Sequence, residues 1–302
     1  MEVIIMDGKK LSSDILERES NNLKSINEQL NITPTMVVIT IGDDNASKVY
    51  VRNKEKAFTE CGVNFVHTTF DEDISREELI KYIEQLNISK GINGVLIQQP
   101  VPDHLIGVEQ YITPTKDVDG FTVQNLGKTL HSTPDQLIAC TPKGIINILK
   151  TYNVPLKGKH VVIIGRSEIV GKPLIGLLLN ENCTVTSCNS YTENLKQIVK
   201  SGDIVISAIG KPKYIDSSYI GPKCYCVIDV GINRDINNKL CGDCDTSGII
   251  DFWHSLNDDM TRFITPVPGG IGPMTVASLV ENTAKAFKLS LNNELLDLIG
   301  GK

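Results

Sequence analysis

The fold of this 302-residue chain is constrained most by residues 161–173, which read Val-Val-Ile-Ile-Gly-Arg-Ser-Glu-Ile-Val-Gly-Lys-Pro. Four β-branched residues in succession are typical of a strand that is buried on both faces of a parallel sheet. A turn opens at Gly165, and residues 174–179 supply the apolar face of a helix. A strand, a glycine turn and a helix form the first unit of a dinucleotide-binding fold, in which N–H groups at the helix start contact a pyrophosphate.

The glycines of this turn depart from the usual fingerprint Gly-x-Gly-x-x-Gly. Gly165 fits the first position, Ser167 stands where the second glycine belongs, and the last glycine falls one position late, at Gly171. The pattern alone leaves a plain strand-to-helix turn as an equal alternative, so the surrounding sequence has to decide.

The first half of the chain alternates between predicted strands and predicted helices. Residue runs rich in β-formers at 35–41, 63–70 and 94–97 are separated by helical patterns at 45–62 and 75–86. This alternation predicts an α/β fold with a parallel sheet.

A new helix is predicted to begin at Thr141, with Thr141 as its N-cap and Pro142 in its first position. We place a domain boundary there. A second α/β domain covers residues 141–272, since short β-rich segments recur beyond the opening strand. Residues from Pro273 onward are expected to form one or two helices that return to the first domain, 1–140.

Composition limits the partners and the location of the protein. The net charge of −6 and the absence of a long basic run argue against nucleic acid as the main partner. No run of about 18 apolar residues occurs, so no membrane span is expected. Residues 1–6 do not form a signal peptide, and a cytoplasmic protein is expected.

The eight cysteines raise the alternative of a zinc site, because Cys224-x-Cys226 is followed by Cys241-x-x-Cys244. Cys224 and Cys226 alternate with apolar neighbours on the way into a predicted strand, where free cysteine behaves as a small hydrophobic residue. We therefore predict reduced, structural thiols and no bound metal.

Three polar residues, Ser47, Tyr50 and Lys54, occupy positions i, i+3 and i+7 of a predicted helix and so share one face. Such a stripe is usually a solvated surface. A lysine shielded from water, however, has a lowered pKa and transfers protons near neutral pH. Gln98 or Gln99, after a predicted strand, is a candidate to position Lys54, although both also suit a simple cap of the strand end.

The sequence Asp117-Val118-Asp119-Gly120 offers two carboxylates in a loop. Turn chemistry, in which Asp side chains accept hydrogen bonds from backbone N–H groups, is the simplest interpretation. The alternatives are a carboxylate that accepts two parallel hydrogen bonds from a planar amino-pyrimidine edge, and a pair that binds a divalent cation. The cation is the weaker of these, because no further acidic ligand is adjacent.

The second strand of the dinucleotide-binding domain indicates the cofactor. NAD-binding folds usually carry an acid at its end, which binds the ribose 2′-hydroxyl. Here the strand at 185–187 runs into the sequence Cys-Asn-Ser, and no acid occurs before Glu193. Arg166 and Ser190 are then available to bind a 2′-phosphate, which favours NADP over NAD.

Residues 265–275 read Thr-Pro-Val-Pro-Gly-Gly-Ile-Gly-Pro-Met-Thr. Prolines and glycines in this density do not suit a regular element. We expect this run either to let the backbone approach a ligand closely or to link two domains.

Taken together, these stretches resemble the bifunctional methylenetetrahydrofolate dehydrogenase/cyclohydrolase family. They follow the order of the family's motifs and cover nearly the whole chain. The matching residues are Ser47, Tyr50 and Lys54; Gln98-Gln99-Pro100; Lys116-Asp117-Val118-Asp119-Gly120; Thr141-Pro142-Lys143-Gly144; Gly165-Arg166-Ser167, Ile169-Val170-Gly171 and Pro173; Asp229-Val230-Gly231-Ile232-Asn233; and Pro268-Gly269-Gly270-Ile271-Gly272-Pro273-Met274-Thr275.

The resemblance implies two α/β domains facing each other across a cleft. One is a folate-binding catalytic domain of residues 1–140 and 273–302, and the other is a Rossmann-like NADP-binding domain of residues 141–272. Members of the family oxidise 5,10-methylenetetrahydrofolate to the methenyl form with NAD(P) and hydrolyse that product to 10-formyltetrahydrofolate. The family is typically dimeric, so a homodimer is expected.

The resemblance also implies roles for individual residues. Lys54 is the catalytic lysine, Gln98 supports it, Tyr50 lines the folate and Asp119 holds the pterin. The substrate-binding residues are Ser47, Tyr50, Gln98, Pro100, Asp119, Gly269, Gly270 and Ile271. The cofactor-binding residues are Gly165, Arg166, Ser167, Val170, Gly171, Ser190, Ala208, Gly210, Ile232, Gly270 and Thr275.

Two other classes of protein remain as alternatives. A shikimate-type NADP-linked dehydrogenase shares the two-domain plan but does not require the Tyr50–Lys54 stripe together with Gln98 and Asp119. A non-catalytic folate- or nucleotide-binding protein would keep the loops and lack a competent lysine, whereas Lys54 is present.

Overall fold

The computed structural model of the chain describes residues 2–43 and 45–300; at 45–47, 49 and 293–300 it describes the backbone alone. Strands and helices alternate through these residues, so the predicted α/β fold class is confirmed. No helix in this part of the chain combines the length and the apolar character that a membrane span needs. In chain order, the elements are β1 (Val3–Ile5), α1 (Gly8–Leu30), β2 (Thr35–Ile41), α2 (Asn45–Glu60), β3 (Asn64–Phe70), α3 (Arg76–Ile88), β4 (Gly94–Ile97), α4 (Val123–His131), α5 (Cys140–Thr151), β5 (His160–Ile164), α6 (Gly171–Asn180), β6 (Thr184–Cys188), α7 (Leu195–Lys200), β7 (Ile204–Ser207), β8 (Cys226–Asp229), β9 (Asn233–Arg234), β10 (Leu240–Cys241), α8 (Thr246–Ser255), β11 (Arg262–Ile264) and α9 (Ile271–Gly300).

The chain divides into two compact units, which we name after their main sheets. The six-strand unit comprises Met1–Ser12 and Thr141–Thr275, and the three-strand unit comprises Ser13–Cys140 and Val276–Lys302. The divisions fall inside α1, α5 and α9, so each of these helices contributes residues to both units.

The three-strand unit is built on a parallel sheet with the strand order β3-β2-β4. Strands β2 and β4 are buried almost throughout, as expected when helices cover both faces of a parallel sheet. Phe58 of α2, Leu96 of β4 and Phe287 of α9 share one buried cluster, which fixes these elements around the end of β4.

The six-strand unit contains a parallel sheet in the order β1-β11-β8-β7-β5-β6, together with the antiparallel pair β9 and β10. The chain runs from β5 outward to β6 and then returns to β7 on the other side of β5, so the strand order reverses there. In open α/β sheets, ligands bind beyond the carboxyl ends of the strands at such a reversal. The residues that follow Ile164 and Ser207 are therefore the first place to look for a ligand pocket.

Residues 1–12 belong to the six-strand unit, although they are predicted to lie in the first domain. The reason is strand pairing over a long separation: β1 pairs in parallel with β11, with Val3 opposite Arg262 and Ile5 opposite Ile264. Sequence periodicity identifies a short apolar strand but does not say which strand it joins.

Two helices begin differently from the prediction. α5 begins one residue before Thr141, so Thr141 and Pro142 lie inside its first turn instead of at its cap and first position. α9 is one continuous helix that begins within the run 265–275. Pro142 and Pro273 are tolerated there because N–H groups in the first turn have no partner within the helix.

Candidate active site

The packing of α2 against the core partly buries Lys54. Val51 and Phe58 lie three residues before and four residues after Lys54, on the same face of the helix, and both are buried in the core of the three-strand unit. Lys54 therefore lies along the buried stripe and is only partly exposed. Tyr50, four residues earlier, is 48% exposed, as expected if this part of the stripe is a solvated surface.

The Nζ atom of Lys54 donates a hydrogen bond of 2.8 Å to Oε1 of Gln98. Gln98 directly follows β4, and its own Nε2 atom donates at 2.8 Å to the carbonyl oxygen of Gln99. The second bond turns the amide oxygen of Gln98 toward the lysine. Of the two glutamines, the structure thus joins Gln98 to Lys54, which is more than a cap of the strand end.

Burial shifts the pKa values of two side chains here in opposite directions. It lowers the pKa of Lys54, while the Asp119 carboxylate and the Cys140 thiol act against that shift. It raises the pKa of Asp119 to about 6; Lys54 and a hydrogen bond with Cys140 oppose the rise, and nearby Asp117 adds to it. Both groups move toward their neutral forms near pH 7, a condition typical of sites that exchange protons with a substrate.

The two carboxylates of the loop at 117–120 have different tasks. Oδ1 of Asp117 accepts from the N–H groups of Gly120 at 3.0 Å and Phe121 at 3.2 Å. Its Oδ2 accepts from the N–H of Thr122 at 2.8 Å and from Nδ2 of Asn125 at 2.9 Å. The turn interpretation is correct for Asp117, and these bonds shape the loop that presents the neighbouring acid to Lys54.

The remaining substrate-binding predictions fall in several places. Pro100 and Gln98 line one cavity with about 390 Å³ of empty volume, together with Thr40, Lys48 and His67. Ser47 lies outside the residues whose side chains the structure describes.

Gly269, Gly270 and Ile271 lie in the six-strand unit, where the backbone of the two glycines makes a close approach to another part of the chain. The approach is to the start of α1: the N–H of Lys9 donates to the carbonyl of Gly269 at 2.9 Å, and a Cβ atom on Gly8 would lie 1.9 Å from the carbonyl oxygen of Gly270. Contact of these three residues with a ligand stays a prediction.

A pocket with about 740 Å³ of empty volume opens at the reversal of strand order in the six-strand unit. It combines residues that follow β5, β6 and β7, as the position of the reversal leads one to expect. Four predicted cofactor-binding residues line it: Gly165, Arg166, Ser190 and Ala208.

The displaced glycines of the opening stretch are explained by close packing. Gly165 has a φ of +124°, and a Cβ atom on it would lie 2.3 Å from the carbonyl oxygen of Ala208. A Cβ atom on Gly171 would lie 2.4 Å from the carbonyl oxygen of Gly165, so the helix start packs directly against the turn. Ser167 accepts hydrogen bonds from the N–H groups of Val170 at 3.2 Å and Gly171 at 3.5 Å. The longer turn is therefore organised by its serine.

Other predicted cofactor residues do not line this pocket. Gly210 has a φ of +67°, and Ile232 is 54% exposed. The hydroxyl of Thr275 lies 3.0 Å from that of Thr141 and 3.4 Å from the carbonyl oxygen of Ile271. Their roles stay predictions.

Lys211 and Tyr214 also line the pocket, and the sequence motifs give no sign of them. The Nζ atom of Lys211 lies 5.2 Å from the ring centroid of Tyr214, within the range of a cation–π contact. Lys211 follows the end of β7 as Arg166 follows the end of β5, which is the signal that could have identified it. The pocket therefore presents two cations, and no acid stands among its described lining residues.

These residues fit a phosphate-bearing dinucleotide. The turn can accept only glycine at Gly165 and Gly171, the pocket lies at the carboxyl ends of the strands, and its cations complement phosphate charge.

The zinc alternative finds no support: no group of three His, Cys, Asp or Glu residues within the described ranges is arranged to hold a metal, and all eight cysteines are free and buried.

Two family descriptions match the chain. Residues 6–119 match the catalytic domain, and residues 139–291 the NAD(P)-binding domain, of tetrahydrofolate dehydrogenase/cyclohydrolase. The chain is 44% identical over 294 residues to the bifunctional protein FolD of Bacillus subtilis, a match that covers 97% of this chain and 100% of the relative.

Solved structures show the same similarity. The bifunctional enzyme FolD, a methylenetetrahydrofolate dehydrogenase/cyclohydrolase from Campylobacter jejuni, aligns with a TM-score of 0.89 and 37% identity, covering 95% of this chain and 99% of its own. The methylenetetrahydrofolate dehydrogenase-cyclohydrolase of Trypanosoma brucei, solved with NADP and an inhibitor, aligns with a TM-score of 0.86 and 30% identity, covering 96% and 99%.

Proposed function

The chain belongs to the tetrahydrofolate dehydrogenase/cyclohydrolase family, and on that premise we propose which of its residues carry the two activities. It is a bifunctional enzyme: it oxidises 5,10-methylenetetrahydrofolate to 5,10-methenyltetrahydrofolate and hydrolyses the methenyl compound to 10-formyltetrahydrofolate. Membership of this family excludes the shikimate-type and non-catalytic alternatives.

The observation that carries the proposal is the 2.8 Å hydrogen bond between Lys54 and Gln98, at a place where burial lowers the pKa of the lysine. Hydrolysis requires a water molecule to lose a proton as its oxygen attacks the methenyl carbon, and the leaving ring nitrogen to gain one. A neutral Lys54 amine accepts the first proton and then, as an ammonium, donates it to the nitrogen as the bond between carbon and nitrogen breaks. Gln98 keeps the Nζ atom in one orientation during both steps. The hydroxyl of the intermediate loses its proton to solvent as the formyl C=O bond forms, so the reaction releases one proton overall.

The same lysine suits the oxidation. When bound, NAD(P) accepts a hydride from the methylene carbon, and the carbon and its ring nitrogens then share a positive charge. An ammonium beside that charge would oppose its formation, so the lowered pKa of Lys54, which increases the share of the neutral amine, favours the reaction. One lowered pKa therefore serves both activities.

Asp119 is proposed to bind the pterin. Backbone N–H groups donate to the carboxylate of Asp117, whereas none within the described residues donates to that of Asp119. Asp119 also lies close enough to Lys54 for each to shift the pKa of the other. The amino-pyrimidine edge of a pterin donates two parallel hydrogen bonds, which a carboxylate accepts in the bidentate manner that it uses for arginine. This fixes the carbon to be oxidised relative to the lysine.

We infer that NADP is the preferred cofactor within the broader NAD(P) class of the family. Arg166, Ser190 and Lys211 line the proposed nucleotide pocket, and two of these three side chains are cations. A 2′-phosphate gains charge-assisted hydrogen bonds there, whereas a bare 2′-hydroxyl gains no partner among the acids that NAD-binding folds usually supply.

The homodimer and the cytoplasmic location stay predictions. Light scattering on the purified protein would test the first, since a dimer has twice the chain mass of 33.2 kDa. A mass equal to that of a single chain would contradict it.

The experiment that tests the proposed function is a single absorbance assay. On mixing with methylenetetrahydrofolate and NADP, the methenyl product should appear and then decay as it is hydrolysed. Appearance without decay would leave only the dehydrogenase, and no appearance would contradict the proposal.

A further inference from the structure

Asp243 is a completely buried acid of the six-strand unit, located between β10 and α8. Four hydrogen-bond donors surround its carboxylate. Oδ2 accepts from the N–H of Ile209 at 2.8 Å and from the hydroxyl of Ser207 at 3.1 Å. Oδ1 accepts from the N–H of Lys211 at 2.9 Å and from Nδ2 of Asn233 at 2.9 Å. One carboxylate thus joins the segment after β7 to the segment after β8.

These donors belong to residues at the border of the proposed nucleotide pocket. Ile209 and Lys211 line it, and they flank Gly210, a predicted cofactor-binding residue. Asn233 directly follows Ile232, another such residue. The buried acid itself is not among the lining residues, so any effect on the nucleotide has to pass through these two segments.

A second set of contacts leaves Asp243 little freedom to move. Its N–H donates at 2.9 Å to Oδ1 of Asp229, and its carbonyl oxygen accepts at 2.9 Å from the N–H of Ile215. A Cβ atom on Gly231 would lie 2.2 Å from Oδ1 of Asp243, and one on Gly242 would lie 1.9 Å from Oδ2 of Asp229. Because interiors packed this closely do not deform freely, the pocket segments follow the position of this carboxylate.

A buried carboxylate is stable only when donors replace the water it has lost, and buried donors likewise need an acceptor. Asp243 and the two pocket segments therefore stabilise one another in this arrangement. We propose that Asp243 is a positioning residue for NAD(P), which sets the affinity for the nucleotide by holding the segments after β7 and β8. The inference rests on the proposed nucleotide pocket.

The test is the variant Asp243→Asn, which keeps the shape of the side chain and turns an NH₂ group toward two of the donors. The Kd for NADP is measured by titration calorimetry without folate, and hydrolysis of methenyltetrahydrofolate is measured without NADP. We expect the Kd to rise about tenfold or more, because buried donors lose their acceptor. Hydrolysis should stay within about twofold, since Lys54, Gln98 and Asp119 belong to the other unit.

Asp245→Asn is the matched control. Asp245 lies two residues further along the same segment, and its carboxylate accepts from the hydroxyl of Ser247 instead of from the pocket segments. Its Kd for NADP should equal that of the wild type.

An unchanged Kd in a folded Asp243→Asn variant would overturn the inference, as would a parallel loss of NADP binding and hydrolysis, which is the mark of a purely structural residue. If this variant does not fold, Asn233→Ala decides, because it removes one donor and leaves the carboxylate in place. We expect its Kd to rise about threefold, and an unchanged value would overturn the inference.

Arg166→Ala, measured in the same titration, separates this inference from the proposed function. A higher Kd for NADP in Arg166→Ala, together with an unchanged Kd in Asp243→Asn, would contradict only the positioning role of Asp243. Unchanged affinity in both variants would contradict the proposed nucleotide pocket itself.

Discussion

The Lys54 site of the three-strand unit and the buried network behind the nucleotide pocket of the six-strand unit each contain an acid with the same shift. Burial raises the pKa of Asp119 to about 6 and that of Asp229 also to about 6. Asp229 accepts hydrogen bonds from the N–H groups of Gly231, Asp243 and Cys244, at 2.8–3.0 Å. For Asp119, no backbone N–H donor occurs within residues 2–43 and 45–300; its neighbours are Lys54 and the thiol of Cys140.

The comparison shows that a perturbed pKa does not by itself mark a catalytic group. Both acids lose water, and in both the loss of solvent is the largest cause of the shift. What differs is the set of partners: the chain's own backbone satisfies Asp229, while Asp119 keeps its acceptor capacity for a ligand. One acid maintains the fold and the other is available for chemistry.

The largest expected effect follows from replacing the proposed proton carrier. Lys54→Met should lower hydrolysis of methenyltetrahydrofolate about a thousandfold, since general acid–base catalysis contributes about 10²–10⁴-fold. Its Kd for NADP should not change. Lys56→Met, an exposed lysine of the same helix, is the control and should keep full activity. Hydrolysis retained in Lys54→Met would contradict the assignment.

The second-largest effect is expected at Asp119, whose carboxylate is proposed to bind the pterin. Asp119→Ala should raise the Kd for folate about a hundredfold, because two charge-assisted hydrogen bonds are lost. Wild-type affinity should also fall as the pH drops below about 6, where Asp119 gains a proton, and the variant should not show this fall. Asp135→Ala, an exposed acid of the same unit, is the control. Equal Kd values for Asp119→Ala and the wild type would refute the role.

Stability should change with opposite signs at the two acids of the loop 117–120. Asp117→Asn turns an NH₂ group toward two of the four donors that Asp117 satisfies and should lower the free energy of unfolding by about 2–3 kcal/mol. Asp119→Asn should raise the free energy of unfolding by about 1–2 kcal/mol at pH 7. An acid whose folded pKa lies above its unfolded pKa destabilises the protein as the pH rises between the two values, and the substitution removes this effect.

Denaturant unfolding at pH 7 and pH 4 checks this contrast. The gain in Asp119→Asn should become small at pH 4, near the ordinary value of 3.8, where the wild-type carboxyl is protonated in the folded state and about half protonated in the unfolded state. Changes of the same sign in the two variants at pH 7 would show that Asp119 belongs to the fold in the same way as Asp117.

The smallest effect belongs to the exposed cation of the nucleotide pocket. Arg166→Ala should raise the KM for NADP about tenfold and that for NAD by less than about twofold, because only NADP carries the 2′-phosphate. Lys172→Ala, an exposed cation that pairs with Glu168 beyond the same turn, is the control. Equal increases for the two nucleotides would show that Arg166 does not read the phosphate.

Features that depend on local sequence could be predicted. The strand β5 and the helix α6 occur where the β-branched run and the leucines indicate them, and α3 occupies the helical pattern at 75–86. Gln98 or Gln99 could be predicted as the partner of Lys54, because ligand-facing groups collect at the carboxyl ends of parallel strands, and the structure identifies Gln98.

Features that depend on long-range pairing could not be predicted. The joining of β1 to β11 and the four bonds of Asp243 connect residues far apart in the chain, and neither leaves a periodic trace in the sequence. Tyr214 also lines the nucleotide pocket without a sign in the sequence, and it contacts Lys211, whose N–H donates to Asp243. The motifs also do not reveal which acid of the 117–120 loop the backbone occupies, because both have the composition of a turn.

The central claim is that burial against the core shifts Lys54 toward its neutral form, while Gln98 orients its Nζ atom. A titration of isotopically labelled lysine Cε and Nζ atoms by NMR, with the Lys54 signal identified by its loss in Lys54→Met, measures this directly. We predict a pKa clearly below the ordinary value of 10.5 in the folded enzyme. A value at or above 10.5 would contradict the account, because burial would then give Lys54 no larger share of the neutral amine than an ordinary lysine has.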